Sequence, residues 1–249
     1  MDAASTIQDA IARVNALRKE VAKHPDSHAA ATAIKRLQAQ RFAGTYSDLL
    51  AGETYADAAR FFLEELYSEK DYADRDAQFV RIAGPLQRFF PKRVADTAVM
   101  LAQLHVLTEE LDHAMAIAWA SQPAGLPEAE RYLNAWRSVA ADDRRATQLS
   151  TVLEVGRELE RLVRLPGLRL TLKMMRRPAK ASGLGALQSF LEAGFDTFAG
   201  LVHGRDRGAA TFLKIIQERE SAWLERLAGM PAPHCVALLE TCLHGGANP

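Results

Sequence analysis

His105, Glu109, Asp112 and His113 put two imidazoles and two carboxylates into one short stretch. On a helix at about 100° per residue, they project at about 0°, 40°, −20° and 80° and share one face. Leu104, Leu107, Leu111 and Met115 line the opposite side. Imidazole and carboxylate are common metal ligands, so His105, Glu109 and His113 are candidates for a metal or haem site. Glu110 and His113 also have the Glu-x-x-His spacing of di-iron carboxylate bundles. That chemistry needs a second Glu-x-x-His and further glutamates facing it. The chain has no second copy, and Glu110 projects at about 140°, off the shared face. The alternative is a solvated helix face, or a polar network that pins this helix to a neighbour. Beyond that site no cofactor is expected.

A second group is Glu64 and Glu65, which interrupt an otherwise apolar run. Buried acids need partners, so Glu64, Glu65, Arg75 and Arg81 are read as a buried polar network, which Arg60, Asp71, Asp74 and Asp76 could extend. A buried carboxyl with a raised pKa would instead suit general acid–base work. A third group is basic. Arg161, Arg164, Arg169, Lys173, Arg176, Arg177 and Lys180 occur in a stretch with no acid between Arg161 and Leu191. Arg169, Lys173, Arg176 and Lys180 fall on one helical stripe, the pattern of a surface that meets an anionic ligand, a lipid headgroup or an acidic protein. Pairing with acids such as Glu64, Glu65 or Glu160 is the structural alternative. The stretch lacks interleaved aromatics, which disfavours nucleic acid.

Other signals are weaker. Cys235 and Cys242 share a helix face with His234 and His244 nearby, a pattern of packed thiols more than of a metal site. His203 before Gly204 reads as a helix-end residue. Gly183-x-Gly185 lacks the preceding strand of a dinucleotide fingerprint.

The run Ala58 to Tyr67 contains Phe-Phe-Leu-Glu-Glu-Leu-Tyr at 61–67, followed by Asp71-Tyr72 and Arg75-Asp76. Leu104-His105, Glu109, Leu111-Asp112, Leu159 to Arg164, Arg176 to Ala179, Leu187-Gln188, Phe190-Leu191-Glu192 and Arg219-Glu220 continue the pattern over about residues 55–230. This resembles the family of uncharacterised bacterial proteins named after its FFLEELY motif. The resemblance implies membership and carries over no catalytic or binding residue.

The elements that must position these groups are helices. Alternating β-branched runs and Asn-Gly or Asp-Gly turns are missing, while 3.6-residue periodicity persists almost throughout. Ile7, Ile11, Val14, Leu17 and Val21 mark a first helix ending near Pro25. Ser27 is placed as the cap of a second, which stops near Gly44, and Thr45–Gly52 is a short helix or turn. Thr54-x-x-Asp57 resembles a capping box for a helix to about Ser68. Phe61, Phe62, Leu63, Leu66 and Tyr67 cover most of its circumference, which predicts a central buried helix. Asp71 or Asp74 begins the next helix, which Gly84-Pro85 should kink or break. Further helices are expected at 92–121, 127–142, 144–164 (the last two separate or continuous), to Arg177 before Pro178, and at 183–203, 207–229 and 232–244. The expectation is all-α: one bundle-like domain, 1–249, of about nine to eleven helices, with a weak division near 122–127.

The chain has 249 residues, with Lys+Arg and Asp+Glu equal at 31 each. Such neutrality gives no global pull towards nucleic acid or membrane, and hydrophobic residues at 48% suit a large core. No apolar run reaches transmembrane length, and the N-terminus lacks a secretory pattern, so a cytoplasmic protein with reduced thiols is expected. The leading functional expectation is a self-associating, non-enzymatic binding or scaffolding module using the basic segment, with peripheral membrane contact among its options. The alternative is a ferritin-like or haem-oxygenase-like enzyme with metal or haem near His105.

Overall fold

The computed structural model describes residues 2–23, 25–65, 72–203 and 208–245. Among the described residues there are twelve helices and no strand. They are α1 (Ala3–Ala22), α2 (Pro25–Thr45), α3 (Ser47–Ala51), α4 (Ala56–Glu65), α5 (Ala73–Phe89), α6 (Lys92–Ala120), α7 (Glu128–Val139), α8 (Asp142–Val163), α9 (Leu168–Ala181), α10 (Gly185–His203), α11 (Gly208–Gly229) and α12 (Ala232–Gly245). The all-α expectation stands, and the expected count of nine to eleven falls short of twelve. Two features raise it. Residues 47–51 form a true turn of helix, and Ala140, at φ 46° and ψ 46°, separates α7 from α8. A non-glycine residue in the left-handed region ends one helix and re-aims the next.

The organising helix is α6, not the Ala58–Tyr67 segment. It packs against α1, α2, α5, α7 and α8, whereas α4 packs on α2, α3 and α10. On α4, Ala58, Ala59 and Phe62 are buried, while Phe61 and Leu63 are half-buried and Glu64 is exposed. Leu66, Tyr67 and Asp71 lie outside the described residues. Apolar residues on most of a short helix show only that it touches several neighbours. A long helix can be central while carrying charge.

Local signals explain most boundaries. Asp2 caps α1, its Oδ1 accepting the Ser5 N–H at 2.7 Å, and Ile7, Ile11, Val14 and Leu17 form its buried stripe. Pro25 opens α2, where its missing N–H costs nothing, so Ser27 lies inside the helix and is not its cap. Gly44 also lies inside α2. A Cβ there would stand 2.2 Å from the Cys242 carbonyl oxygen, so this glycine lets α12 cross closely. Pro85 and Pro178 are both accommodated inside α5 and α9. Each removes one donor, but packing of Ala83 and Leu86, and of Ala179, carries the helix past it. Gly167, at φ 78°, turns the chain into α9.

Three apolar clusters build the core. One joins α1, α5 and α6 through Ile7, Ala83, Leu86, Ala95, Ala98 and Ala102. A second joins α2, α6, α7, α11 and α12 through Ile34, Met115, Trp119, Leu133, Trp223 and Leu239. A third joins α2, α3, α4, α8, α10 and α11 around Phe42, Phe62, Phe198 and Phe212. Each fully buried Leu, Ile or Phe contributes roughly 1.5–3 kcal/mol. Along α6, Ala95–Ala102 serves the first cluster and Met115–Trp119 the second. Between them lies a charged layer.

Candidate functional site

The charged layer of α6 makes ion pairs and hydrogen bonds to α1, α2 and α5. Arg18 of α1 donates to Asp76 of α5 at 2.8 Å and to Glu109 of α6 at 2.8 Å. His105 Nε2 lies 3.0 Å from Asp76 Oδ2. Lys35 of α2 reaches Glu109 at 3.3 Å, and Gln38 donates to Asp112 at 3.1 Å. Burial alone would raise the Glu109 carboxyl, but Lys35 and Arg18 outweigh it and hold it below the ordinary glutamate value. Burial likewise opposes ionisation of Asp76, and His105 and Arg18 together draw its pKa down. Asp112 is the exception. Burial dominates there, and Lys35 and Gln38 do not fully offset it, so its pKa is raised.

The network continues beside the second cluster. Arg41 of α2 makes two bonds to Glu220 of α11, at 2.9 and 2.8 Å, and Tyr46 donates to the same carboxylate at 2.9 Å. Arg145 of α8 is 4% exposed. Its guanidinium carbon lies 3.4 Å from the Trp136 ring centroid, while Nε and Nη2 are buried without a hydrogen-bond partner among the described residues. Burial lowers the Arg145 pKa, against the pull of Tyr132 and Asp112. A cation over an indole face is stabilised by the ring quadrupole.

The metal candidates take part in these contacts. Glu109 and His105 meet Arg18, Lys35 and Asp76, and His113 Nδ1 is buried without a hydrogen-bond partner among the described residues. Among the described residues no group of three His, Cys, Asp or Glu side chains is placed to hold a metal. Glu110 points outward to Arg13 and Arg144. Cys235 is buried, Cys242 half-buried, and His244 Nδ1 lies 2.7 Å from the Glu240 carbonyl. The His203 side chain and Gly204 lie outside the described residues.

Within the predicted network of Glu64, Glu65, Arg75 and Arg81, Arg75 and Glu65 meet directly. Arg75 pairs with Glu65 at 2.9 Å and is sandwiched between Tyr72 and Phe190, with ring centroids at 3.8 and 4.4 Å. These two side chains are half-buried. Arg81 donates to the Ser182 and Gly183 carbonyls at 2.7 and 3.3 Å and so closes the C-terminal end of α9. The Glu64 carbonyl accepts the Tyr72 hydroxyl at 2.7 Å.

The basic segment divides in a more informative way. Arg161 pairs with Glu158, Arg164 with Glu160, Arg169 with Asp196 and Arg176 with Glu192. The last two tie α9 to α10. Lys173, Arg177 and Lys180 are exposed and make no ion pair among the described residues. Beside them Leu170 is 63% exposed, Met174 69% and Met175 44%. Leu168, Leu172 and Ala179 form the inner stripe, which packs on α8 and α10. At about 100° per residue, Lys173, Lys180 and Arg177 lie between that inner stripe and Leu170 and Met174.

Sequence reasoning missed Arg18, Lys35, Arg41, Arg145 and Glu220 as network members. A signal was present. Leu213, Ile216, Glu220, Trp223 and Leu227 follow the 3–4 spacing of a buried stripe, as do Ile34, Leu37 and Arg41. A charge on such a stripe demands an opposite charge on a facing one.

No curated protein and no solved structure matches the chain. The family described as Domain of unknown function (DUF8198) matches residues 17–233, and the chain belongs to that family.

Proposed function

We propose that this protein is a non-enzymatic binding module that lays α9 on an anionic lipid surface. The observation that carries this reading is the outer face of α9, where Leu170 and Met174 project beside Lys173, Arg177 and Lys180. Helices that rest in a membrane interface combine an apolar crown with basic flanks in this way. The inner stripe of α9 already holds it to the body of the protein, so the crown is spare. The helix forms a ridge, and a ridge suits a bilayer, whereas a peptide or small ligand needs a concavity. No helix among the described residues is long and apolar enough to cross a membrane, so the contact would be peripheral.

Residues 1–249 are taken as one folded unit. α7 packs on α6 across the 122–127 loop and α12 returns to α2, which supports it. The engagement of His105 and Glu109 in ion pairs and hydrogen bonds favours a structural role over the metal or haem alternative. The FFLEELY-like segment fits the same view: Phe61 stacks on Phe190 at 6.1 Å and helps seat α10, which carries α9.

The test is co-sedimentation with phosphatidylglycerol-containing and pure phosphatidylcholine vesicles. The protein is expected to follow the anionic vesicles in low salt and to be released by high salt. Leu170→Glu with Met174→Glu should abolish binding without lowering the melting temperature. Absence of binding to anionic vesicles, or equal binding by the double variant, would refute the reading.

A further inference from the structure

We infer that the wedge between α11 and α12 is a binding site for an amphipathic anion, a single acidic headgroup carrying an aliphatic chain. The two helices meet at Met230 and Pro231 and share α7, but otherwise pack on different neighbours. α11 lies on α7, α8 and α10, and α12 lies on α2 and α7. Between them opens a hollow of about 380 Å³, lined by Thr45, Arg219, Trp223, Arg226, Leu238 and Cys242 among others. A second hollow of about 520 Å³ shares Leu238 and Thr241 with it, and its walls include Met230, Pro231, His234 and Ala237. Each volume is within the range of small-molecule sites, roughly 300–1,000 Å³.

Charge sets the class of ligand. Arg219 is neutralised by Asp48, with bonds at 2.6 and 2.7 Å, and also donates to the Thr45 carbonyl. Glu218 at the rim faces Lys214 at 3.7 Å. Thr241 donates to the Ala237 carbonyl at 2.9 Å. Arg226 alone among the charged groups lining the first hollow makes no ion pair among the described residues. It stands 5.5 Å from the centroid of the Trp223 ring, whose indole N–H is already given to Thr45 at 2.9 Å. The site therefore offers one uncompensated positive charge, an aromatic floor, and an exit lined largely by Met230, Pro231, Ala237 and Leu238. A cation would meet Arg226 with like charge. A small polar anion would leave the second hollow unused. A headgroup with a chain uses both. Carboxylate and phosphate are equally suited to a guanidinium, and the test separates them. This site is independent of the α9 reading.

The experiment is isothermal titration of the full chain with decanoate, decyl phosphate, decanol and decyltrimethylammonium, each below its micellar concentration. The expected result is one-to-one binding of decanoate or decyl phosphate, at least about tenfold tighter than the neutral and cationic compounds, since a charged hydrogen bond outweighs a neutral one. The tighter of the two names the headgroup. Arg226→Gln should reduce the anion to the level of decanol, and Arg226→Lys should keep most of the preference. Thermal melts establish that both variants are folded. Equal binding of anion and alcohol, or an Arg226→Gln variant with undiminished anion affinity, overturns the assignment.

Discussion

Glu220→Gln is the most direct probe of the internal network. The Arg41 and Glu220 side chains are 7% and 10% exposed. The carboxylate accepts two Arg41 bonds and one from Tyr46, all at 2.8–2.9 Å. Glutamine has the same shape but one acceptor oxygen and no charge, so the buried Arg41–Glu220 ion pair is lost. Removing one partner of a buried pair costs about 3–5 kcal/mol. At roughly 2–4 °C per kcal/mol for a chain of this size, the melting temperature should fall by about 6–20 °C. Urea unfolding at neutral pH, with the urea dependence unchanged, measures the loss directly. A second step checks the cause. Arg41→Met with Glu220→Met removes both charges and also the carboxylate that accepts the Tyr46 hydroxyl, so the matched variant also carries Tyr46→Phe. Replacing a whole buried pair by apolar groups is often near neutral, and the triple variant should recover most of the loss. A Glu220→Gln protein within about 0.5 kcal/mol of the parent, the range of an ordinary surface change, would sink the argument. So would a triple variant no more stable than the single one.

The other expectations are shorter. Asp76 and Glu109 have lowered pKa values, so their stabilisation is present above the ordinary carboxylate range and fades as pH falls through the folded values; Asp76→Asn should flatten the acid limb of a stability–pH curve. Asp112 is shifted upwards, so its sign is opposite: its contribution is complete at low pH and lost as pH rises through the folded value, and Asp112→Asn should gain stability relative to the parent at neutral pH but not in acid. Gly44→Ala brings a Cβ to 2.2 Å from the Cys242 carbonyl and should cost about 1–3 kcal/mol, as overpacking does. Gly200→Ala, where nothing lies within 4 Å of the added carbon, should stabilise α10 by roughly 0.5–1 kcal/mol; differential scanning calorimetry checks both.

Much of the helical framework was legible because its signals are local. The stripe of Ile7, Ile11, Val14 and Leu17 and the stop near Pro25 act within a few residues. Pro85 and Pro178 misled because a proline's penalty is local while the packing that overrides it is not. Several positions that carry the family resemblance, Asp76, His105, Glu109, Asp112 and Glu220, meet in the network or its extension. Their shared surroundings could not be read from spacing along the chain, since Arg41 and Glu220 are separated by most of the sequence.

The sequence by itself determined the all-helical class and the face of α6 on which His105, Glu109 and Asp112 stand together, because helical periodicity depends on near neighbours. It also placed an unusual run of cations from Arg161 to Lys180. Only the tertiary structure decided which partners those charges meet. It set Arg18 and Lys35 against Glu109. It set Asp196 and Glu192 against Arg169 and Arg176, leaving Lys173, Arg177 and Lys180 beside an exposed apolar ridge. The physical reason is that a charge takes its chemical role from its nearest opposite charge and its access to water, and both are fixed by helix packing.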